Sequence, residues 1–345
     1  MKRITIYTAI AAIALTGCAK EATKNQAAKD KAYFEAWAEL HEGERAGNGI
    51  YILEDIPGEG EALDMDATPY VFVDYTITDL EGNVLGTTFE SVAKRIGEYN
   101  LRNWYGPQFW LADEGLSGIY AGVEDMLSGM KLGGRRKAAI PYWLCTTDRY
   151  FKEETYLDKA TSGSNYIYDV TLLDACENIY EYEGEQLDLY SKEHLEGVDS
   201  THIAGDEELD KFGFYFKTLP KAGVDLEYEM PDDTTMYLNY TGKFLNGKVF
   251  DTTIKNVAKN AGIYNTSKSY GPVQITRSAT YTDIALGGSS DLCSGFQAAI
   301  YMMHPMEKAV TAFYSLLGYG FSGSGQVIPP YTPLVFELEL VEKPE

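Results

Sequence analysis

The chain contains one pattern twice, and that repeat restricts it to folds in which strands outnumber helices. Gly49-Ile-Tyr-Ile-Leu53, Pro57-Gly58 and Tyr70-Val-Phe-Val-Asp-Tyr-Thr76 open one copy; Gly213-Phe-Tyr-Phe-Lys217, Pro220-Lys-Ala-Gly223 and Met236-Tyr-Leu-Asn-Tyr-Thr241 open the other. In both, a strand runs through a turn into an alternating strand that sets a tyrosine before a threonine. The turns Glu81-Gly82-Asn83 and Leu245-Asn246-Gly247 follow, and Asn-Gly suits a hairpin because both residues tolerate positive φ. Each copy then reads as a short helix, Gly122 to Met130 or Gly295 to Met303, and closes on an alternating strand, Tyr166 to Leu173 or Leu334 to Leu340. Strands with one short helix per copy imply an α+β protein of two domains, residues 45–180 and 211–345. The acidic stretch between them, residues 181–210, reads as a linker in which a helix near Leu187 to Leu195 stays open.

The N-terminus predicts export. Lys2 and Arg3 precede an apolar run from Ile4 to Leu15, too short to span a bilayer and fitting the core of a signal peptide. It ends in Leu15-Thr16-Gly17-Cys18, which resembles a bacterial lipobox, so residues 1–17 are expected to be removed and Cys18 to carry the lipid. Residues 18–44 are expected to hold a polar tether and a short amphipathic helix, in which Phe34, Trp37 and Leu40 recur at helical spacing. No acidic run follows Cys18, which favours the periplasmic face of the outer membrane over the cell surface. A net charge of −23 argues against nucleic-acid partners, since phosphate would be repelled. Cys145, Cys176 and Cys293 read as buried small hydrophobes, with a Cys145–Cys176 bridge left open.

The second copy carries further fragments in order: Tyr240-Thr-Gly242, Gly247-Lys-Val-Phe-Asp251, Gly295-Phe296, Tyr319-Gly320, Val327-Ile-Pro-Pro330 and Leu334-Val-Phe336. Together they resemble the FKBP family, the macrolide-binding peptidyl-prolyl cis/trans isomerases, over about residues 212–341. The resemblance implies a twisted antiparallel sheet around a short helix, with a shallow pocket between them. Phe296 would be the floor, where tryptophan is usual; Tyr240, Phe250, Val327, Ile328 and Phe336 would be the walls. Asp251, the Tyr319 hydroxyl and the Ile328 backbone N–H would be the polar, catalytic groups. Three departures stand out: Pro272-Val273 where a second pocket phenylalanine is common, a long stretch from Ile275 to Ser290 that could overhang the pocket, and Cys293 at a rim position that is usually aliphatic.

The first copy keeps Tyr75 and the turn Gly129-Met-Lys-Leu-Gly-Gly134, but has Leu85-Gly86 in place of Phe250-Asp251, Val123 in place of Phe296, and Thr146 to Thr161 in place of the Tyr-Gly to Ile-Pro-Pro loop. It is therefore expected to be a degenerate copy. His41, His194, His202 and His304 are scattered, and Asp64/Asp66 and Asp232/Asp233 read as turn acids, so no metal site and no cofactor are expected. The expectation for the whole is a lipid-anchored peptidyl-prolyl isomerase acting on proline-containing clients, active in the second domain, with macrolides as a further ligand class. The alternative is a polypeptide-binding lipoprotein that keeps the scaffold without turnover.

Overall fold

The computed structural model describes residues 26–113, 118–200, 213–219, 223–225, 231–289 and 292–343; the expected leader, residues 1–17, and the expected lipid site Cys18 lie outside these. The chain divides into two compact units: residues 1–98 with 105–177, and residues 99–104 with 178–345.

In the first unit the strands are β1 (Glu44–Ala46), β2 (Ile50–Ile56), β3 (Glu59–Ala62), β4 (Tyr70–Thr78), β5 (Val84–Thr87), β6 (Gln108–Leu111), β7 (Lys131–Leu132), β8 (Arg135–Ile140) and β9 (Tyr166–Cys176). All but the small β3–β7 pair form one antiparallel sheet, ordered β1-β2-β8-β9-β4-β5, with β6 also on β4. The second unit holds β10 (Phe214–Leu219), β11 (Thr235–Phe244), β12 (Val249–Thr252), β13 (Val273–Thr276), β14 (Ala285–Leu286), β15 (Lys308–Phe313) and β16 (Leu334–Val341). Its order is β10-β15-β16-β11-β13-β14, with β12 also on β11. The paths β2-β8-β9-β4 and β10-β15-β16-β11 are the same path, so the repeat seen in the residues is a repeat of topology.

The reason both copies fold alike is local. The Tyr75 N–H donates to Thr88 Oγ1 at 2.9 Å and the Tyr240 N–H donates to Thr253 Oγ1 at 2.9 Å. The hydroxyls of Thr76 and Thr87 meet at 2.9 Å, as do those of Thr241 and Thr252. Each pair ties the tyrosine strand to the hairpin that follows and starts the short helix beyond it, α2 (Glu90–Ile96) or α6 (Lys255–Asn260). The core helices α3 (Ala121–Leu127) and α7 (Ser294–Met302) touch the end of β8 or β15 through a glycine. A Cβ on Gly122 would stand 2.5 Å from Ile140, and one on Gly295 would stand 2.6 Å from the Phe313 ring. Only glycine permits that approach. Alternation does the rest: Leu334, Phe336, Leu338 and Leu340 of β16 are buried while Glu337 and Glu339 face away.

Two sequence expectations change here. The N-terminal helix, α1 (residues 26–39), packs on the first unit as anticipated through Phe34 and Trp37, joined by Ala38. Phe34 meets the Trp143 ring edge-on at 5.5 Å. Leu40 lies past the helix end and is 84% exposed, so its helical spacing carried no packing information. The stretch read as a linker is largely α5 (Ile179–His194), capped by the Asn178 side chain accepting from the Tyr180 and Glu181 N–H groups. It packs Leu187 into the core of the second unit. A further helix, α4 (Glu153–Lys159), occupies the first copy's replaced loop and buries Tyr156. Among the described residues no helix is long and apolar enough to cross a membrane.

Candidate functional site

The site in the second unit is built around one missing side chain. Gly242 on β11 pairs with Asp251 of β12 on one side and with Phe336 of β16 on the other. A Cβ there would come within 2.5 Å of the Phe250 ring and 3.0 Å of the Phe336 ring. The empty position lets those rings meet across the strand, at 5.7 Å and edge-to-face. Phe296, reached from α7, lies 4.8 Å from Phe336 and 5.5 Å from Tyr240. These aromatics bound a cavity of about 220 Å³.

All eight residues singled out in the sequence line this one cavity: Tyr240, Phe250, Asp251, Phe296, Tyr319, Val327, Ile328 and Phe336. Phe296 and Phe336 are almost fully buried beneath it, whereas Tyr319 is 41% exposed. Val273 is not among the lining residues, in keeping with its small side chain. The long stretch after it does reach the cavity, through Leu286 of β14, with Leu292 and Cys293 beyond. Its anchor is Gln297 of α7, whose buried Nε2 donates to the carbonyls of Thr282 (2.8 Å) and Ile284 (3.0 Å).

The polar groups are tightly arranged. The Tyr240 hydroxyl donates to Asp251 Oδ2 at 2.7 Å. Lys268 Nζ pairs with Asp251 Oδ1 and lies 6.0 Å from the centre of the Tyr240 ring. Burial raises the Tyr240 pKa far above its ordinary value of 10.0, and the Asp251 charge and hydrogen bond raise it further. Asp251 therefore fixes a neutral phenol and a cation, and has no oxygen aimed at a nucleophilic task. The Ile328 N–H donates to the Ser324 carbonyl at 3.2 Å, and the Ser324 N–H returns a bond to the Ile328 carbonyl at 2.7 Å. Gly323 closes this loop at φ 60, where a Cβ would lie 2.3 Å from the Ile328 oxygen. Burial pushes the Cys293 thiol up to about 11, so it lines the rim as an inert hydrophobe. Burial raises Cys145 to about 12, and no disulfide joins it to Cys176.

Sequence reasoning missed Lys268, Leu286, Leu292 and Arg102 as lining or supporting residues. The only available signal was chemical: an acid placed among aromatics needs a cation, but several lysines could supply it.

In the first unit the same frame holds different chemistry. The Tyr75 hydroxyl accepts from Gln108 Nε2 at 2.5 Å instead of donating to an acid. Trp110 lies 4.9 Å from Tyr75 and 6.3 Å from Tyr168, setting an indole beside the tyrosine. Leu85 is exposed and Val123 fully buried.

Residues 227–341 match the family model of the FKBP-type peptidyl-prolyl cis-trans isomerase. FK506-binding protein 2 of Kluyveromyces lactis is 31% identical over 123 residues, covering 35% of this chain and 71% of that protein. Peptidyl-prolyl cis-trans isomerase Mip of Chlamydia muridarum is 32% identical over 105 residues, covering 30% of this chain but only 32% of that relative's length. Among solved structures, FkpA from Escherichia coli aligns with 21% identity and a TM-score of 0.31, over 50% of this chain and 70% of that one. The chain belongs to the FKBP-type peptidyl-prolyl cis-trans isomerase family.

Proposed function

We propose that the second unit catalyses cis/trans isomerisation of X-Pro bonds in exported polypeptides. On this reading the chain is tethered by a lipid on Cys18 to the periplasmic face of the outer membrane, and the first unit is a degenerate copy without turnover. The observation that carries the proposal is the cavity itself: five aromatic residues line it, and its one acid is paired with Lys268 and hydrogen-bonded by Tyr240. An X-Pro bond is nearly balanced between its isomers, yet amide resonance sets a barrier of roughly 18–20 kcal/mol. The twisted transition state has lost that resonance and with it part of the charge separation of the planar amide. A cavity lined mainly by aromatic and aliphatic side chains therefore favours it over the ground state, which is the differential binding that catalysis needs. The Tyr319 hydroxyl at the mouth and the Ile328 N–H would orient the substrate carbonyl. Macrolides that mimic a prolyl amide are a second ligand class for the same cavity.

One observation favours the alternative, a binding module without turnover: the Ile328 N–H already has the Ser324 carbonyl as a partner. At 3.2 Å that bond is long enough to be shared or exchanged. Exchange NMR of the full chain on an Ala-Pro peptide separates the two readings. The enzyme reading expects catalysed exchange, reduced at least about tenfold in Asp251→Ala and in Phe336→Ala. Peptide binding without exchange leaves the binding module, and full exchange in both variants would move the activity out of this cavity.

A further inference from the structure

Of the described residues lining the cavity only Asp251 and Arg102 carry a formal charge. Asp251 is balanced by Lys268, but no described residue balances Arg102. Its only hydrogen bond among the described residues is through its backbone N–H, to Asn100 Oδ1 at 3.0 Å. Its side-chain Nε is sealed from solvent and has no partner. Arg136 and Arg277 also bury an unpaired Nε, yet each anchors its other guanidinium nitrogens: Arg136 on the Met126 and Ser128 carbonyls and on Asp55, Arg277 on the Tyr301 carbonyl. Arg102 has no such anchor. Arg102 is only partly buried, so a carboxylate in the cavity can reach the end of a guanidinium that no described residue satisfies.

Arg102 is also held in place. It belongs to the hexapeptide Tyr99–Trp104, which is part of the second unit. Asn103 Nδ2 donates to Gln326 Oε1 at 2.6 Å, and the Trp104 N–H donates to the Gln326 carbonyl at 2.8 Å. Lys248 Nζ donates to the Asn103 carbonyl at 2.6 Å, and the Trp104 ring packs edge-on against Phe244 at 4.7 Å. Gln326 sits in the same loop as Ser324, Val327 and Ile328, so the hexapeptide is clasped to the loop that forms one cavity wall. The backbone that carries the cation is therefore held against this wall.

We infer that Arg102 makes this pocket selective for proline segments that carry an acidic side chain next to the proline. A carboxylate is the acceptor that best fits a guanidinium fork, and it would pair there within a wall of low polarity. The inference rests on the proposed binding of X-Pro segments by this cavity.

The test uses the full chain and three peptides, Glu-Pro-Glu, Lys-Pro-Lys and Ala-Pro-Ala in one neutral frame, with affinity read by fluorescence anisotropy and exchange by NMR. The quantity of interest is the change in the ratio of Glu to Lys peptide affinity from wild type to variant; the bias that a net charge of −23 imposes against acidic peptides enters both ratios and cancels in that comparison. Arg102→Gln should lower that ratio about fivefold or more, and Arg102→Glu further. Arg102→Lys should keep part of it. Lys192→Gln, the same charge change at an exposed position of α5, should leave it unchanged. An equal ratio in wild type, Arg102→Gln and Arg102→Glu overturns the inference, as does an equal drop in Lys192→Gln. Failure of Ala-Pro-Ala to bind the wild type is a different result: it removes the pocket reading itself, and this inference with it.

Discussion

Glu183 is a carboxyl where a hydrophobic residue would be expected. It lies on the buried face of α5, 1% exposed, and accepts from the Ser315 N–H at 2.5 Å and the Ser315 hydroxyl at 2.7 Å. Burial raises its pKa from 4.5 to about 7, although the two Ser315 donors pull it back. In the unfolded chain the group ionises near its ordinary value. Between the two values the folded protein therefore holds a proton that the unfolded chain has lost, and stability falls as pH rises. The slope is about 1.4 kcal/mol per pH unit, and the whole loss is roughly 3 kcal/mol. Below the lower value the contribution is fully present; above the upper one it is gone and the curve is flat.

Glu183→Gln preserves size and an oxygen for the Ser315 N–H, and it cannot ionise. The variant should lack the slope and be the more stable form on the alkaline side, by up to that roughly 3 kcal/mol. Urea unfolding of the full chain, followed through the amide resonances of Phe313 and Leu338, reports the second unit alone. Parallel pH dependence in wild type and variant from about pH 5 to about pH 8 would refute the reasoning. So would wild-type stability that rises with pH across that window.

Three further outcomes are expected. Asp251→Asn removes the charge that helps hold the Tyr240 proton, so the Tyr240 pKa should fall toward 10.0 without reaching it, because burial remains the largest cause; carbon-labelled tyrosine NMR against pH measures this. Gly295→Ala should destabilise the second unit by about 1–3 kcal/mol, since its Cβ would stand 2.6 Å from the Phe313 ring and the core must shift; urea unfolding tests it, and a neutral result would mean that α7 has room to move. Cys293 should react with iodoacetamide at neutral pH far more slowly in the folded protein than in urea, because its thiol is raised to about 11; equal rates would show that the rim is open and polar.

The framework was readable in the residues because its determinants are local. Alternation, the Asn-Gly turn and a tyrosine followed by a threonine are each set within a few positions, and they fix strands, hairpin and register. The eight pocket residues were readable for a related reason: they fall on those same strands and turns, at spacings that the family resemblance supplies. What escaped was either polar and buried or distant in sequence. In α5, Glu183 and Ser191 occupy the inward face beside Leu187, so hydropathy counted the helix as a solvated linker. Ser191 is satisfied by donating to the Val198 carbonyl at 2.6 Å, a bond that no hydropathy pattern contains. Lys268 reaches Asp251 over a helix and a turn, and Arg102 comes from beyond the other end of the unit; neither pairing has a local signature.

The two copies separate the causes of fold from the causes of function within one chain. Their backbone ladders follow the same strand path, and their tyrosine–threonine bonds have the same lengths, 2.9 Å in each copy. Those bonds involve main-chain groups and threonine hydroxyls, so nothing about them depends on what the tyrosine ring or hydroxyl touches. The hydroxyl was thus free to take different partners: Gln108 as a donor to it in one copy, Asp251 as an acceptor from it in the other. With Asp251 come Lys268, the Phe250–Phe336 contact over Gly242 and an open cavity; with Gln108 comes an indole set 4.9 Å from the tyrosine ring. An acid at that position would be a liability without its cation, since an unpaired carboxylate beside buried aromatics is expensive. Asp251 and Lys268 are therefore a unit of exchange: restoring an acid at Gly86 alone would not recreate the second copy's site in the first, because the acid would need a cation beside it and the buried Val123 gives no aromatic floor.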